Sequence, residues 1–127
     1  MLYKIHSRKS LAEVARGLEG AAQKHKFGVL GVHDLKAKMR ENGVEFARDC
    51  QVFEVCNPHQ AKKVLEANVE ISTALPCRIS IYQEGDGVTL ATLRPTALLE
   101  IFGTPGLQAV AREVEETLLK MMDEAAK

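Results

Sequence analysis

The chain has no tryptophan and only two tyrosines, Tyr3 and Tyr82. So few aromatic platforms leave little for stacking the bases of a single-stranded nucleic acid. It also lacks any charge excess: 17 Lys and Arg balance 17 Asp and Glu, so the formal net charge is zero. Long-range steering toward polyanions is therefore weak, and no nucleic-acid partner is expected. No apolar run approaches the length that crosses a bilayer, so no membrane partner is expected either. The first residues lack the basic start and apolar block of an export signal. Cysteine is sparse and odd in number, with Cys50, Cys56 and Cys77 and no Cys-x-x-Cys pair. That excludes a disulfide framework and fits reduced thiols in a cytoplasmic protein. Phosphate loop, dinucleotide glycine motif, serine nucleophile elbow and His-Glu-x-x-His are all missing. Repeats, low-complexity tracts and linkers are missing too, which leaves one domain over residues 1–127.

What is present is a globular composition, 46% apolar and 27% charged, sufficient to bury one core. Near neutrality removes repulsion between copies, and a homodimer is expected on that ground. Residues 2–6 alternate as a first strand. Ser10 and Glu13 form a capping box, in which the hydroxyl accepts from the third helical N–H and the carboxylate reaches back. Leu11, Val14, Ala15, Leu18, Ala21, Ala22 and His25 then share one helix face. Gly17 and Gly20 interrupt that helix, each costing about 1 kcal/mol relative to Ala, and are expected to allow close packing on a sheet. Residues 27–33 read as a buried strand, and Asp34 caps a short helix to Glu41 that Asn42-Gly43 stops. Residues 50–56 are β-rich, and Asn57-Pro58 opens a helix to about Asn68. Residues 77–84 and 88–93 flank Gly85-Asp86-Gly87, a hairpin pattern. Pro95 starts a short helix that Gly103 ends. Thr104-Pro105 is expected to cap a long last helix with Leu107, Val110, Ala111, Val114, Leu118 and Met121 on one face.

The element order is therefore β-α-β-α-β-α-β-β-α-α. Between the middle strands, a ten-residue helix advances about 15 Å, and seven extended residues can return about 23 Å. The chain can come back to where it left, which favours antiparallel neighbours over parallel crossovers. The expected class is α+β: a mainly antiparallel sheet of about five strands with helices on one face. A doubly wound parallel sheet is the alternative.

Two segments carry the chemistry, Cys56-Asn57-Pro58-His59 and Pro76-Cys77-Arg78. Asn57 suits an N-cap and Pro58 the first helical position, so Cys56 falls beside unpaired backbone N–H groups at a positive helix end. Such a place can lower a thiol pKa or cradle an anion. Antiparallel pairing of residues 50–56 with residues 77–84 would bring Cys56 and Cys77 to one end of the sheet, with Arg78 on the opposite strand face from Cys77. Against this, free cysteine is most often a small buried apolar side chain. Zinc could use Cys56, His59 and Cys77, but no fourth ligand presents itself, and no metal is assigned. His33 beside Asp34 could be an oriented base, although Asp34 is already needed as a cap. No cofactor can be named. The candidate ligand-binding set is Cys56, Asn57, Pro58, His59, Cys77 and Arg78, serving a small molecule or anion. A thiol-dependent or redox enzyme using Cys56 or Cys77 is the alternative.

The combined pattern resembles a known family. Residues 29–35 contain His33-Asp34, and residues 51–59 contain Glu54-Val55-Cys56-Asn57-Pro58. Leu75-Pro76-Cys77-Arg78, the Gly85-Asp86-Gly87 turn and Pro95 follow. Together they resemble the small bacterial and archaeal family called domain of unknown function 302, over nearly the whole chain. The resemblance implies an architecture like that of the TATA-binding protein, a curved antiparallel sheet with helices packed against it. It does not bring DNA binding with it, since fold does not fix function, and it carries over no catalytic residue.

Overall fold

The structure is a computed structural model that describes all residues, 1–127. Five strands, β1 (Leu2–Ser7), β2 (Gly28–Asp34), β3 (Cys50–Cys56), β4 (Cys77–Glu84) and β5 (Gly87–Leu93), form one sheet in the order β1-β5-β4-β3-β2. Every neighbouring pair is antiparallel. The parallel alternative is thereby excluded. Five helices accompany the strands: α1 (Leu11–Lys24), α2 (Leu35–Glu41), α3 (Pro58–Ala67), α4 (Pro95–Glu100) and α5 (Gln108–Ala126).

Alternation along the strands makes one sheet face apolar and the other polar. Phe53 and Val55 of β3, Ile79 and Ile81 of β4, and Val88 and Leu90 of β5 are buried on the apolar face. α1 and α5 cover it with Val14, Leu18, Leu118, Met121 and Met122, all completely buried. Each such aliphatic side chain contributes about 2 kcal/mol by leaving water. Lys4, Glu54 and Arg78 fall on the opposite face, at Lys4↔Ala91 and Glu54↔Arg78 of the register.

α1 starts as its capping box requires: Ser10 Oγ accepts from Glu13 N–H at 3.2 Å, and the Glu13 carboxylate accepts from Ser10 N–H at 3.2 Å. Gly17 does mark a close approach, but to a helix rather than to the sheet. A Cβ there would lie 3.3 Å from the Ala125 Cα of α5, while Gly20 faces nothing within 4 Å. Gly87 is the tightest position of the hairpin, because a Cβ on it would collide with the Ser7 carbonyl oxygen of β1.

Three further expectations are corrected. The strand read as buried is an edge: β2 pairs only with β3 and is exposed at five of seven residues, Gly28, Leu30 and Val32–Asp34. Its apolar sequence reflects low charge, not central position. The long last helix begins after Leu107, three residues beyond the proposed Thr104 cap. Gly103 and Gly106, at φ +59° and +83°, carry the chain through left-handed turns there. The Thr104 hydroxyl instead accepts from Asn68 Nδ2 at 2.9 Å. Finally, residues read as irregular before β4 contain a 3-10 helix, Val69–Ala74, which buries Ile71 completely.

Candidate functional site

The site lies where β3 ends, β4 begins and the second, smaller apolar cluster meets the main core. Asn57 terminates β3 and caps α3, its Oδ1 accepting from the N–H groups of His59 at 3.1 Å and Gln60 at 3.2 Å. Pro58, with no N–H to leave unpaired, occupies the first turn. The β3–β4 register places Cys77 opposite Val55, so Cys56 and Cys77 do come to the same end of the sheet. Behind them, Val64, Ile71, Leu99, Leu107 and Ala111 form a separate cluster under α3, the 3-10 helix, α4 and the start of α5.

A cavity of about 50 Å³ remains between the two clusters. Cys56 and Cys77 line it together with Phe27, Val55, Leu99 and Ala111. Of its sixteen lining residues thirteen are hydrophobic, and none is Asp, Glu, Lys, Arg or His. The polar side chains on its wall are the neutral amides of Asn57 and Gln60. The volume exceeds the ~10–15 Å³ that one water needs, but such a surface gives water few partners.

This environment raises the thiol pKa values, where a helix start alone would lower them. Burial pushes Cys56 up. Burial first, and the nearby Cys56 second, push Cys77 up to about 11. A positive helix end needs an ion to stabilise, and here the apolar wall disfavours the thiolate while Asn57 already occupies the first free amides. All three cysteines are free thiols.

Of the six candidates from sequence, Cys56, Asn57 and Cys77 therefore share one wall. Pro58, His59 and Arg78 lie outside it. His59 is exposed and takes part through its backbone N–H. Arg78 faces the bare side of the sheet, with Nε 3.5 Å from Glu54 Oε2. The zinc set of Cys56, His59 and Cys77 is not gathered on that wall.

Sequence reasoning missed the partner of His33. Asp34 caps α2, its Oδ1 accepting from Ala37 N–H at 3.0 Å. His33 Nε2 instead lies 2.9 Å from Glu54 Oε1. Gly31, opposite Glu54, makes room, since a Cβ there would come within 3.3 Å of that oxygen. The His33 hydrogen bond, with the charges of His33 and Arg78 adding to it, holds the Glu54 carboxyl below its ordinary range. The sequence reading of residues 50–56 as β-rich gave Glu54 no role, and only the pairing of β2 with β3 brings it beside His33.

The family model described as "Domain of unknown function DUF302" matches residues 3–125. The chain belongs to the DUF302 family. A crystal structure of an uncharacterized conserved DUF302 protein from Bacillus stearothermophilus superposes with a TM-score of 0.92 at 28% identity, covering 99% of this chain and 98% of that one. No curated protein matches the chain. Membership of DUF302 brings the five-stranded antiparallel α+β architecture and assigns no ligand or reaction. No helix is long and apolar enough to cross a membrane.

Proposed function

We propose that this DUF302 protein is a binding domain whose cavity between β3, β4, α3 and α5 takes a small, uncharged, mainly apolar ligand. One observation carries the reading: the cavity has a thirteen-of-sixteen hydrophobic wall and no ionisable carboxylate, amine, guanidinium or imidazole on it. An ion moved there would lose its hydration without a partner, a cost of many kcal/mol. Of the small molecule or anion expected from the sequence, the wall therefore suits a neutral molecule. Asn57 and Gln60 supply hydrogen-bonding amides for a hydroxyl or carbonyl at one end of it. Cys56 and Cys77 act as polarizable apolar wall. The thiol-enzyme reading is weaker, because nucleophilic attack requires the thiolate and burial opposes it at both sulfurs. A reducing, cytoplasmic setting suits three free thiols, and self-association suits a chain of zero net charge.

A homologous series of n-alcohols tests the ligand class. By calorimetry or by chemical-shift titration, Kd should fall about fourfold for each added methylene, following ~0.8 kcal/mol per buried CH₂. The fall should stop once the chain exceeds the space. Fatty-acid anions of equal length should bind more weakly than the alcohols, and Ala61→Leu should abolish both. Unsaturable partitioning, or binding indifferent to Ala61→Leu, sinks the proposal.

A further inference from the structure

The two edges of the sheet are finished differently. An edge strand leaves a row of backbone N–H and C=O groups unpaired, and proteins blunt that row with charged residues or by covering it. β1 carries Lys4 and His6 within the strand. It is also tied to α5, its Tyr3 hydroxyl donating to Asp123 Oδ1 at 2.6 Å and its Ser7 hydroxyl to the Ala126 carbonyl at 2.7 Å. β2 reads Gly-Val-Leu-Gly-Val before His33 and Asp34 and holds no Lys or Arg. Its Leu30 is 64% exposed and its Val32 44%. The register shift in β2 is confined to Val29/Gly31, so Gly31, Val32, His33 and Asp34 run in step with Glu54, Phe53, Val52 and Gln51. Four residues thus present a regular outer edge beyond the bulge.

Two properties select a second copy of the chain as the occupant. The strand is self-complementary: antiparallel pairing about a twofold axis at Val32 sets Val32 against its own symmetry mate. His33 then faces the second copy's Gly31, which lies within the regular edge, so no like charges oppose one another there. The zero net charge, in addition, gives approaching copies no long-range repulsion. We infer that β2 is the association edge, joining two copies β2 to β2 into one continuous antiparallel sheet. This rests on the self-association proposed above and adds its location.

Sedimentation velocity over a concentration series, with circular dichroism as the check on folding, tests it using Val32→Lys and Val32→Glu. Because Val32 is half-exposed, neither change buries a charge. The unaltered chain should dimerise, and each variant alone should dimerise about tenfold more weakly, a difference of one decade in Kd. An equimolar mixture of the two should recover association as a Lys–Glu heterodimer, and Lys4→Glu on β1 should change nothing. A chain that stays monomeric at the highest attainable concentration overturns both the edge and self-association. A dimer that ignores both Val32 variants overturns the edge alone. Loss of the dimer without recovery in the mixture overturns the pairing about Val32.

Discussion

Two apolar regions of the molecule are packed differently. Beneath the central strands, fourteen buried residues of the sheet, α1 and α5, with Phe27 from the connection before β2, make one continuous cluster. Beside it, five residues from α3, the 3-10 helix, α4 and α5 make a second, and the cavity separates them. The first receives long side chains from both layers, with Phe53, Ile79, Ile81, Leu118, Met121 and Met122 below 2% exposure. The second is roofed partly by α4 and the 3-10 helix, six residues each, too short to present more than one or two rows of side chains. An unfilled apolar gap forfeits dispersion contacts on both of its walls. The lesson is a division of labour: one region is closed packing that supplies stability, and the other leaves the space that the proposed ligand would fill.

The largest effect should come from breaking the sealed region at its closing hairpin. Gly87→Ala drives a methyl group into the Ser7 carbonyl oxygen, which belongs to backbone and cannot step aside. Urea unfolding should show a loss of about 4 kcal/mol or more, or no folded protein. Next, the comparison itself can be measured with matched truncations. Leu118→Ala removes a fully buried side chain from the main cluster and should cost about 4 kcal/mol, whereas Leu99→Ala, beside the existing void and 8% exposed, should cost about 2. Equal losses would mean that the second region is packed as tightly as the first.

Much of this contrast could be read from the residues, and the rest could not for identifiable reasons. Ser10-Glu13, Asp34 and Asn57-Pro58 act locally, and each capped its helix where its side chain reaches the next turn. The bounds of β3 followed from a β-rich composition and those of β4 from the hairpin pattern at Gly85-Asp86-Gly87, and their pairing followed from how far the intervening chain could return. Where partners come from distant chain, local reasoning failed. Thr104 looks like a cap until Asn68, thirty-six residues earlier, takes its hydroxyl. Residues 28–34 look buried because an apolar edge strand and an apolar central strand have the same composition. The proximity of Cys56 and Cys77 was legible as a consequence of strand direction. The space beside them was not, because a void is a deficit summed over five separate segments. Burial of both thiols against that apolar wall reversed the expected direction of their pKa shifts.

Alkaline pH probes the cavity wall from inside, with a smaller effect than truncation. The Cys77 thiol ionises at about 11 in the folded chain against an ordinary 9.0, so the folded state holds its proton more tightly than the unfolded state. The stability that follows is fully present below pH 9 and is lost as pH rises through 9 toward 11, amounting to about 3 kcal/mol. Urea midpoints for the wild type should fall across that window more than those of Cys77→Val. Tyr3, whose phenol is raised chiefly by its hydrogen bond to Asp123, titrates in both proteins and cancels in the difference. The matching kinetic readout is alkylation. At neutral pH Cys77 should label about 100-fold more slowly than an unshifted thiol, the two-unit difference expressed as thiolate fraction. Rapid labelling of Cys77 would revive the thiol-enzyme reading at the expense of the apolar cavity.

The smallest change in stability should come from filling the space. Ala61 lines the cavity from α3 and is only partly buried, so Leu at that position can reach the void without displacing a fully packed neighbour. Three added carbons gain dispersion contacts that the empty space lacks and keep good helix propensity. Ala61→Leu should therefore leave thermal stability unchanged or raise it by up to about 1 kcal/mol, while alcohol binding disappears. That opposition is the sharpest form of the comparison, because a residue in a sealed core cannot be enlarged without strain of about 1–3 kcal/mol. Should Ala61→Leu destabilise by that amount, the second cluster would be closed packing like the first, and the chain would have no room for a ligand between them.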